Sequence, residues 1–377
     1  MEEVVFWKSK KFWFGLAAPV LLIAVMSLIG TNTWICEYLF ARGITRWLTH
    51  VLTQISNQIP LSIAELLVYL LPLVLVGAII YCIIRRGWQR WRNLLVGIAA
   101  VLLWGLFLFE LLFVVQFSRI RLEDQLGYDT EHITAEELYE TASMMREIAG
   151  TLSEYVEYTE EGYSVWPGCS SIRESNESIL SYSYYERDFY ALKEEMDLAI
   201  YTGRVRPKAI LASEPFSYTG ILRIYIPFTG EANLNMSAPP FTVVLSTAHE
   251  QIHQKGYSRE DEANFLAIQT CLMDYDFYVN YSGALYAFRF LYNALYQADR
   301  DLYAQLMQDT PAVLLQDLRY FNDWILSHEN QVTTAVEKVN DTYLQVSGGE
   351  GTVSYSQVVK LLVGWYRAVS KVTEMDA

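Results

Sequence analysis

The stretch AHEQIHQKGYSREDEANFLA, residues 248–267, decides how the second half of this chain folds, because it encodes two helices joined at a glycine. His249 and His253 are four positions apart, so on an α-helix both rings reach towards one point. Glu250 completes the pattern H-E-x-x-H, in which two histidines bind zinc and the glutamate takes a proton from a zinc-bound water. A five-residue match also arises by chance on acidic helices, so its surroundings matter.

A catalytic zinc usually has three protein ligands, and the other three of the five histidines lie far away in sequence. A nearby carboxylate is therefore the expected third ligand. Gly256 allows the chain to turn after the first helix. Ser258 is predicted to cap a second helix, whose first turn contains Glu260, Asp261 and Glu262.

Glu260 shares a helix face with Ala263, Asn264 and Ala267, where the two alanines permit close packing on the first helix. We therefore predict that Glu260 is the third zinc ligand. Asn264 is predicted to hydrogen-bond a ligand histidine. Glu262 points away from this face and stays open as the alternative ligand.

Three long apolar runs precede this segment, at about residues 12–30, 63–84 and 93–117. Each approaches or exceeds the ~20 residues that cross a hydrocarbon core as a helix, and helices of soluble proteins are rarely so uniformly apolar. The first run has no small-x-small cleavage site, which favours a retained anchor over a signal peptide. We predict a membrane domain over residues 1–117 and a second domain over residues 118–377.

The two parts differ in charge. Residues 1–117 hold nine basic and five acidic residues, and the remainder holds 19 basic and 38 acidic residues. Lysines near the N-terminus and four arginines between the second and third runs place both regions in the cytoplasm by the positive-inside rule. The second domain is then extracytoplasmic, on a multi-pass membrane protein with a cytoplasmic N-terminus. Its acidity argues against nucleic-acid binding, and a disulfide between Cys169 and Cys271 is left open.

The second domain is predicted to be mainly α with a small sheet. A helix begins at the capping pattern Thr134-x-x-Glu137 and runs towards Tyr158. The stretches KAILAS and GILRIYIP, residues 208–213 and 220–227, are rich in β-branched and aromatic residues, which predicts two strands. The other expected elements are a loop over 161–178, a helix over about 184–201, and a helical region after Pro239 with breaks at Gly256, Gly283, Pro311 and 347–352.

The stretch HEQIHQKG…REDEANFLA resembles the zinc signature of gluzincin-type metallopeptidases, in which a glutamate, two residues and Ala-Asp or Ala-Asn follow H-E-x-x-H. With IPLSIAELL, PFTGEANLN, YSGAL and GTVSYSQVV, nearly the whole chain is similar to the bacterial domain-of-unknown-function 3810 family. The resemblance implies a membrane-anchored zinc peptidase of the bacterial plasma membrane, with a zincin-like α+β domain. His249, His253 and Glu260 would ligate Zn²⁺, with Glu250 as general base and Asn264 supporting a ligand.

The expected reaction is hydrolysis of a peptide bond in an extracytoplasmic protein or peptide, with Glu250 moving the proton from water to the leaving amine. Tyr281 and His328 are nominated as donors that stabilise the oxyanion. The strand at 220–227 is either an ordinary strand or an edge that pairs with an extended substrate. The alternative function is a non-catalytic sensor or scaffold, in which zinc only ties two helices together. The oligomeric state is left open.

Overall fold

A computed structural model describes residues 10–182, 185–200, 203–346 and 354–376. The chain is mainly α with small sheets, so the predicted fold class is confirmed at that level. It divides into two compact units. The first comprises Met1–Arg119 with Ile226–Gly230, and the second comprises Ile120–Tyr225 with Glu231–Ala377.

Two helices of the first unit, Ile63–Arg85 and Trp88–Ser118, are long and apolar enough to cross a membrane. They agree with the second and third predicted spans. Ser62 begins the former by accepting a hydrogen bond from the amide of Glu65 at 3.0 Å. Only 6% of the most apolar part of this helix is buried, as expected for a helix that faces lipid.

The first predicted span forms the helix Trp13–Ile29, which a bend of 106° separates from the helical segment Thr33–Ser56. If this bent pair counts as one span, the described residues contain three candidate spans instead of two.

The helices of the first unit are α1 (Lys10–Phe12), α2 (Ala18–Ile29), α3 (Thr33–Ile35), α4 (Thr45–Ser56), α5 (Ile63–Arg85) and α6 (Trp88–Leu112), with π-helical stretches at Trp13–Ala17 and Cys36–Ile44 and a 3-10 turn at Val114–Ser118.

A buried ion pair joins distant parts of the first unit. The carboxylate of fully buried Glu37 accepts hydrogen bonds from Arg119 Nε at 2.9 Å and Nη2 at 3.0 Å. Arg42 Nε also donates to Glu37, at 2.7 Å. A buried carboxylate is tolerated only when donors of this kind compensate for the water it has lost.

Three mutually packed helices form the centre of the second unit: α12 (Pro240–Gln254), α13 (Glu260–Leu272) and α14 (Phe277–Ala298). Every residue of α12 is buried, so this helix is enclosed on all sides. The other helices of this unit are α7 (Leu122–Leu126), α8 (Ala135–Leu152), α9 (Ile172–Tyr182), α10 (Glu186–Met196), α11 (Ser213–Ser217), α15 (Arg300–Gln308), α16 (Ala312–His328), α17 (Gln331–Val346) and α18 (Ser354–Asp376). Among them, α8 and α18 pack against the central helices.

Two small sheets complete the second unit. The first pairs β1 (Glu157–Tyr158) with β2 (Ser164–Val165) in an antiparallel arrangement. The second contains β3 (Lys208–Ala209), β4 (Arg223–Ile226) and β5 (Glu231–Leu234) in the order β3-β5-β4. Strand β4, which belongs to the predicted stretch GILRIYIP, therefore lies at an edge of this sheet.

Strand β5 is absent from the predicted elements because its sequence, EANL, looks polar. In the structure β5 is the central strand and runs parallel to β3, with Lys208 opposite Asn233. The buried side chain of Glu231 pairs with the ammonium group of Lys208, and Asn233 Nδ2 donates to the carbonyl of Ile224 at 3.4 Å. These partners allow polar side chains to occupy a buried strand.

The capping box predicted at Thr134 is present, but its helix ends at Leu152 instead of continuing towards Tyr158. The predicted loop over 161–178 is wrong in its second half, because helix α9 begins at Ile172. The ends of the predicted helix at Tyr184 and Tyr201, and the break at 347–352, lie outside the described residues.

The predicted break at Gly283 is also wrong, because this glycine lies inside α14. A Cβ at Gly283 would be only 2.6 Å from the Cβ of Cys271, so the glycine permits close packing of α14 on α13. Cys169 and Cys271 are both free thiols, and the disulfide left open between them is not formed.

Candidate metal centre

Helix α12 brings the two histidines of the H-E-x-x-H pattern together, as predicted. Pro240 occupies the first turn, where its missing amide hydrogen has no intrahelical partner to lose. One turn separates His249 from His253, and their ring centroids are 4.5 Å apart. Both side chains are almost completely buried. His249, Glu250 and His253 form a buried group able to hold a metal ion.

The turn after α12 delivers Glu260 to the same two rings. Gly256 adopts a φ of 106°, which favours glycine, and α13 then begins at Glu260. The residue before that helix is Arg259, so the predicted cap by Ser258 is wrong by one position. Glu260 Oε2 lies 3.2 Å from His249 Nε2, and Glu260 Oε1 lies 3.2 Å from Nε2 of the second histidine. Three potential ligands therefore converge.

The rings of His249 and His253 differ in the direction of their pKa shifts, because their neighbouring charges differ. Nδ1 of His253 lies 2.7 Å from the carbonyl of Tyr257, which can only accept, so Nδ1 carries a proton and Nε2 is the nitrogen that can bind a metal when the ring is neutral. Burial opposes the charged form of His253, but the nearby Glu260 and Glu250 carboxylates raise its pKa above the ordinary value. Burial, together with the positive charge of Arg223, lowers the pKa of His249 to about 3.

Glu250 is buried beside the rings. Its Oε1 lies 3.8 Å from His249 Nε2, and within the described part of the chain its buried Oε2 has no hydrogen-bond partner. Burial raises the pKa of Glu250 to about 7, while the charges of His253 and Arg223 act in the opposite direction. An unsatisfied carboxylate oxygen with a pKa near neutrality is typical of a group that exchanges protons with a bound water or substrate.

Arg223 is part of this centre, although it is not among the site residues predicted from the sequence. From strand β4 its Nη2 donates to Asn264 Oδ1 at 3.0 Å and lies 3.3 Å from His249 Nδ1. Its Nε lies 3.4 Å from Oε1 of Glu250. The available signal was a charged residue inside the otherwise apolar stretch GILRIYIP, because a charge among apolar residues needs partners.

The two remaining residues predicted on α13 have contacts of their own. Asn264 Oδ1 accepts a hydrogen bond from Arg223, and its predicted bond to a ligand histidine stays a prediction. The fully buried Glu262 accepts from Arg259 Nη1 at 2.7 Å and from the amide of Leu122 at 3.0 Å. Through these bonds Glu262 Oε1 links α13 to Leu122, the first residue of α7.

Tyr281 and His328 have contacts away from the histidine pair within the described residues. The buried Tyr281 hydroxyl donates to Asp317 Oδ2 at 2.7 Å. His328 Nδ1 lies 2.7 Å from the carbonyl of Trp324, and its ring packs against Tyr218. The structure therefore does not bring either nominated oxyanion donor to His249 or Glu250, and their catalytic role stays a prediction.

Comparison with known proteins identifies a family. No curated protein and no solved structure matches this chain. The family described as "Protein of unknown function (DUF3810)" matches residues 40–363, which include the candidate spans Ile63–Arg85 and Trp88–Ser118 and the whole metal centre. Because the match covers most of the sequence, the chain belongs to the DUF3810 family.

Proposed function

We propose that this protein is a membrane-anchored zinc metallopeptidase that hydrolyses peptide bonds of an extracytoplasmic protein or peptide. His249, His253 and Glu260 are the proposed zinc ligands, and Glu250 is the proposed general base. The observation that carries the proposal is the 3.2 Å approach of the Glu260 carboxylate to both imidazole Nε2 atoms, beside a buried glutamate with an unsatisfied oxygen.

The spacing of these groups supports zinc. Tetrahedral zinc binds imidazole nitrogen and carboxylate oxygen at ~2.0–2.2 Å, which places neighbouring ligand atoms about 3.3 Å apart. Each Glu260 oxygen lies 3.2 Å from one imidazole Nε2, Oε2 from that of His249 and Oε1 from that of His253, which is close to that spacing. Glu260 is the better third ligand than Glu250, whose Oε1 is 3.8 Å from His249 Nε2, and than Glu262, whose Oε1 is engaged by Arg259. Two histidines and one glutamate are a donor set that catalytic zinc uses.

In the proposed mechanism, bound zinc would polarise the scissile carbonyl and make a water molecule more acidic. Glu250 accepts the proton at its carboxylate and then delivers it to the leaving amine. Arg223 holds Oε1 of Glu250, which leaves Oε2 available for the transfer. The edge position of β4 supports pairing with an extended substrate backbone, which would keep the scissile bond in place.

Metal binding also has a consequence for Arg223. A guanidinium group can only donate, so its contact with His249 Nδ1 requires that nitrogen to accept. A neutral imidazole that binds metal through Nε2 keeps its proton on Nδ1. We therefore expect Arg223 to turn away from this ring on metal binding and to keep its contacts with Glu250 and Asn264.

The test uses the full-length protein in nanodiscs, with zinc content measured by mass spectrometry and hydrolysis followed on fluorescein-labelled casein and on mixed fluorogenic peptides. We expect one bound zinc in the parent, and in Glu250→Gln retained zinc with ~10²–10⁴-fold slower hydrolysis, because general acid–base catalysis contributes about that factor. Glu260→Ala should lose zinc. Glu177→Gln, at an exposed site on α9, is the matched control.

The alternative of a zinc-stabilised sensor or scaffold has one supporting observation. Both histidines and Glu250 are almost completely buried, and structural zinc sites have no coordination position left for water. In that case the parent would bind zinc and unfold on its removal, yet hydrolyse neither probe, and Glu250→Gln would change nothing. Equal hydrolysis by the parent and Glu250→Gln would contradict the peptidase. Absence of bound zinc from the parent would contradict both functions.

A further inference from the structure

The helical segment Thr33–Ser56 carries its polar side chains inward. Thr45, Thr49, Thr53 and Ser56 are all buried, and their spacing of four or three residues places them on one helix face. Thr45 Oγ1 donates to the carbonyl of Leu111 at 2.8 Å, and Ser56 Oγ donates to the carbonyl of Thr53 at 3.2 Å. The buried side of this helix is thus the polar side.

The opposite face of the same segment is apolar and exposed. Trp34 and Trp47 are 66% and 63% exposed, and Tyr38, Val51 and Ile55 lie along the same face. A helix on the surface of a water-soluble protein shows the reverse pattern, because exposing apolar surface to water costs about 25 cal/mol per Å². The surroundings of this face are therefore apolar.

The bend of 106° between Trp13–Ile29 and Thr33–Ser56 sets the direction of the second helical segment relative to the first. The preceding helix packs along α6, where Trp104 Nε1 donates to the carbonyl of Phe14 at 3.2 Å and the two rings are 5.4 Å apart. We infer that this preceding helix runs across the membrane beside α6, which is a candidate span. Spans tilt by about 20° on average, so a helix nearly perpendicular to one lies close to the membrane plane.

We propose that Thr33–Ser56 is an interfacial helix, whose exposed apolar face is embedded among phospholipid acyl chains in one leaflet. This face belongs to the same unit as the lipid-facing α5 and α6, so lipid is the continuous neighbour of all three. Tryptophan and tyrosine side chains favour the boundary between headgroups and acyl chains. An open groove of about 520 Å³ lies along this segment and is lined by His50, Val51, Gln54, Ile55, Gln58 and Ile59.

The contact with lipid is tested in the full-length protein, in nanodiscs of phosphatidylcholine and phosphatidylglycerol. The photo-crosslinking residue p-benzoylphenylalanine replaces Trp47, Val51 or Ile55, one at a time. The reference positions are Val74 in α5 and Leu211 in the second unit, both well exposed. We expect lipid adducts at the three test positions in yields similar to that at Val74, and several-fold lower yields at Leu211.

Lipid adducts at Val74 without adducts at the three test positions would overturn the proposal. Crosslinked dimers at these positions would also overturn it, because a second copy of the chain would then cover the face. The depth of Trp47 is measured separately, with lipids brominated near the headgroup or near the chain end. Comparing the parent with Trp47→Phe, we expect several-fold stronger quenching of this tryptophan by the shallow bromines. Equal or stronger quenching by the deep bromines would indicate a membrane-crossing segment and contradict the interfacial helix.

Discussion

Arg223 joins three members of the metal centre, so its replacement tests whether the centre works as one unit. In Arg223→Met, Glu250 and Asn264 lose a charged donor, and we expect hydrolysis to fall by about 10–100-fold, the usual effect of removing a group that orients a metal site. Zinc content should stay at the parental level, since Arg223 is not a ligand. Arg223→Lys keeps the charge and should restore part of the rate in the same assay. Parental activity in Arg223→Met would exclude a positioning role.

Asp317 gives the second unit a dependence on pH. Burial raises the pKa of this carboxyl above its ordinary value, although Ser164 and Tyr281 donate hydrogen bonds to it. A folded-state pKa above the unfolded one means that the stabilising contribution is complete below the unfolded pKa of about 3.9 and is lost as pH rises through the folded value. The melting temperature of the parent relative to Asp317→Asn should therefore decrease with rising pH. A difference that does not vary with pH would contradict this prediction.

At the scale of elements, Gly283 sets the distance between α13 and α14. Gly283→Ala would place a Cβ 2.6 Å from the Cβ of Cys271, and relief of that contact requires the helices to separate. We expect a destabilisation of about 1–3 kcal/mol, typical of overpacking, measured by thermal or denaturant unfolding of the full chain. Gly105→Ala in α6 is the control, because nothing lies within 4 Å of a Cβ there. An unchanged free energy of unfolding in Gly283→Ala would contradict this prediction, because it would show that α13 and α14 can adjust to the added Cβ.

The sequence predicts elements well where the determining interactions are local. The capping box at Thr134 involves neighbours three residues apart, and the pairing of His249 with His253 follows from one helical turn. The sequence does not predict helix α9, because its serine and asparagine residues are typical of a loop. Its buried Asn176 is stabilised by donating to the carbonyls of Met236 and Ala238, which only the folded chain supplies.

The difference between local and long-range interactions also determines which residues of the metal centre can be predicted from the sequence. Glu260 is predictable because it follows the second histidine closely and shares a face with small residues. Arg223 lies on a strand, 26 positions before His249, and no local pattern connects it to the ring. Long-range polar contacts of this kind determine strand β5 as well, where Lys208 and Glu231 neutralise each other inside the second unit.

At the scale of the whole molecule, zinc should stabilise the fold. A ligand that binds only the folded state adds about 2.7 kcal/mol when its free concentration is 100 times Kd. We expect the melting temperature of the full chain to rise with added zinc and to fall with a chelator, in the parent and in Glu250→Gln. His253→Ala should show neither response, because it removes a proposed ligand. A zinc-dependent shift of equal size in His253→Ala would mean that zinc acts elsewhere.

The ion pair of Glu37 with Arg119 also constrains biosynthesis. Glu37 precedes Arg119 by 82 residues, so the ribosome completes it long before its distant partner exists. During that interval we expect the carboxylate to pair with Arg42, five residues away, whose Nε donates to it at 2.7 Å in the folded protein. The local arginine would then compensate the charge before α5 and α6 are inserted. Arg119, immediately after the last candidate span, then fixes the early segment once membrane insertion is complete.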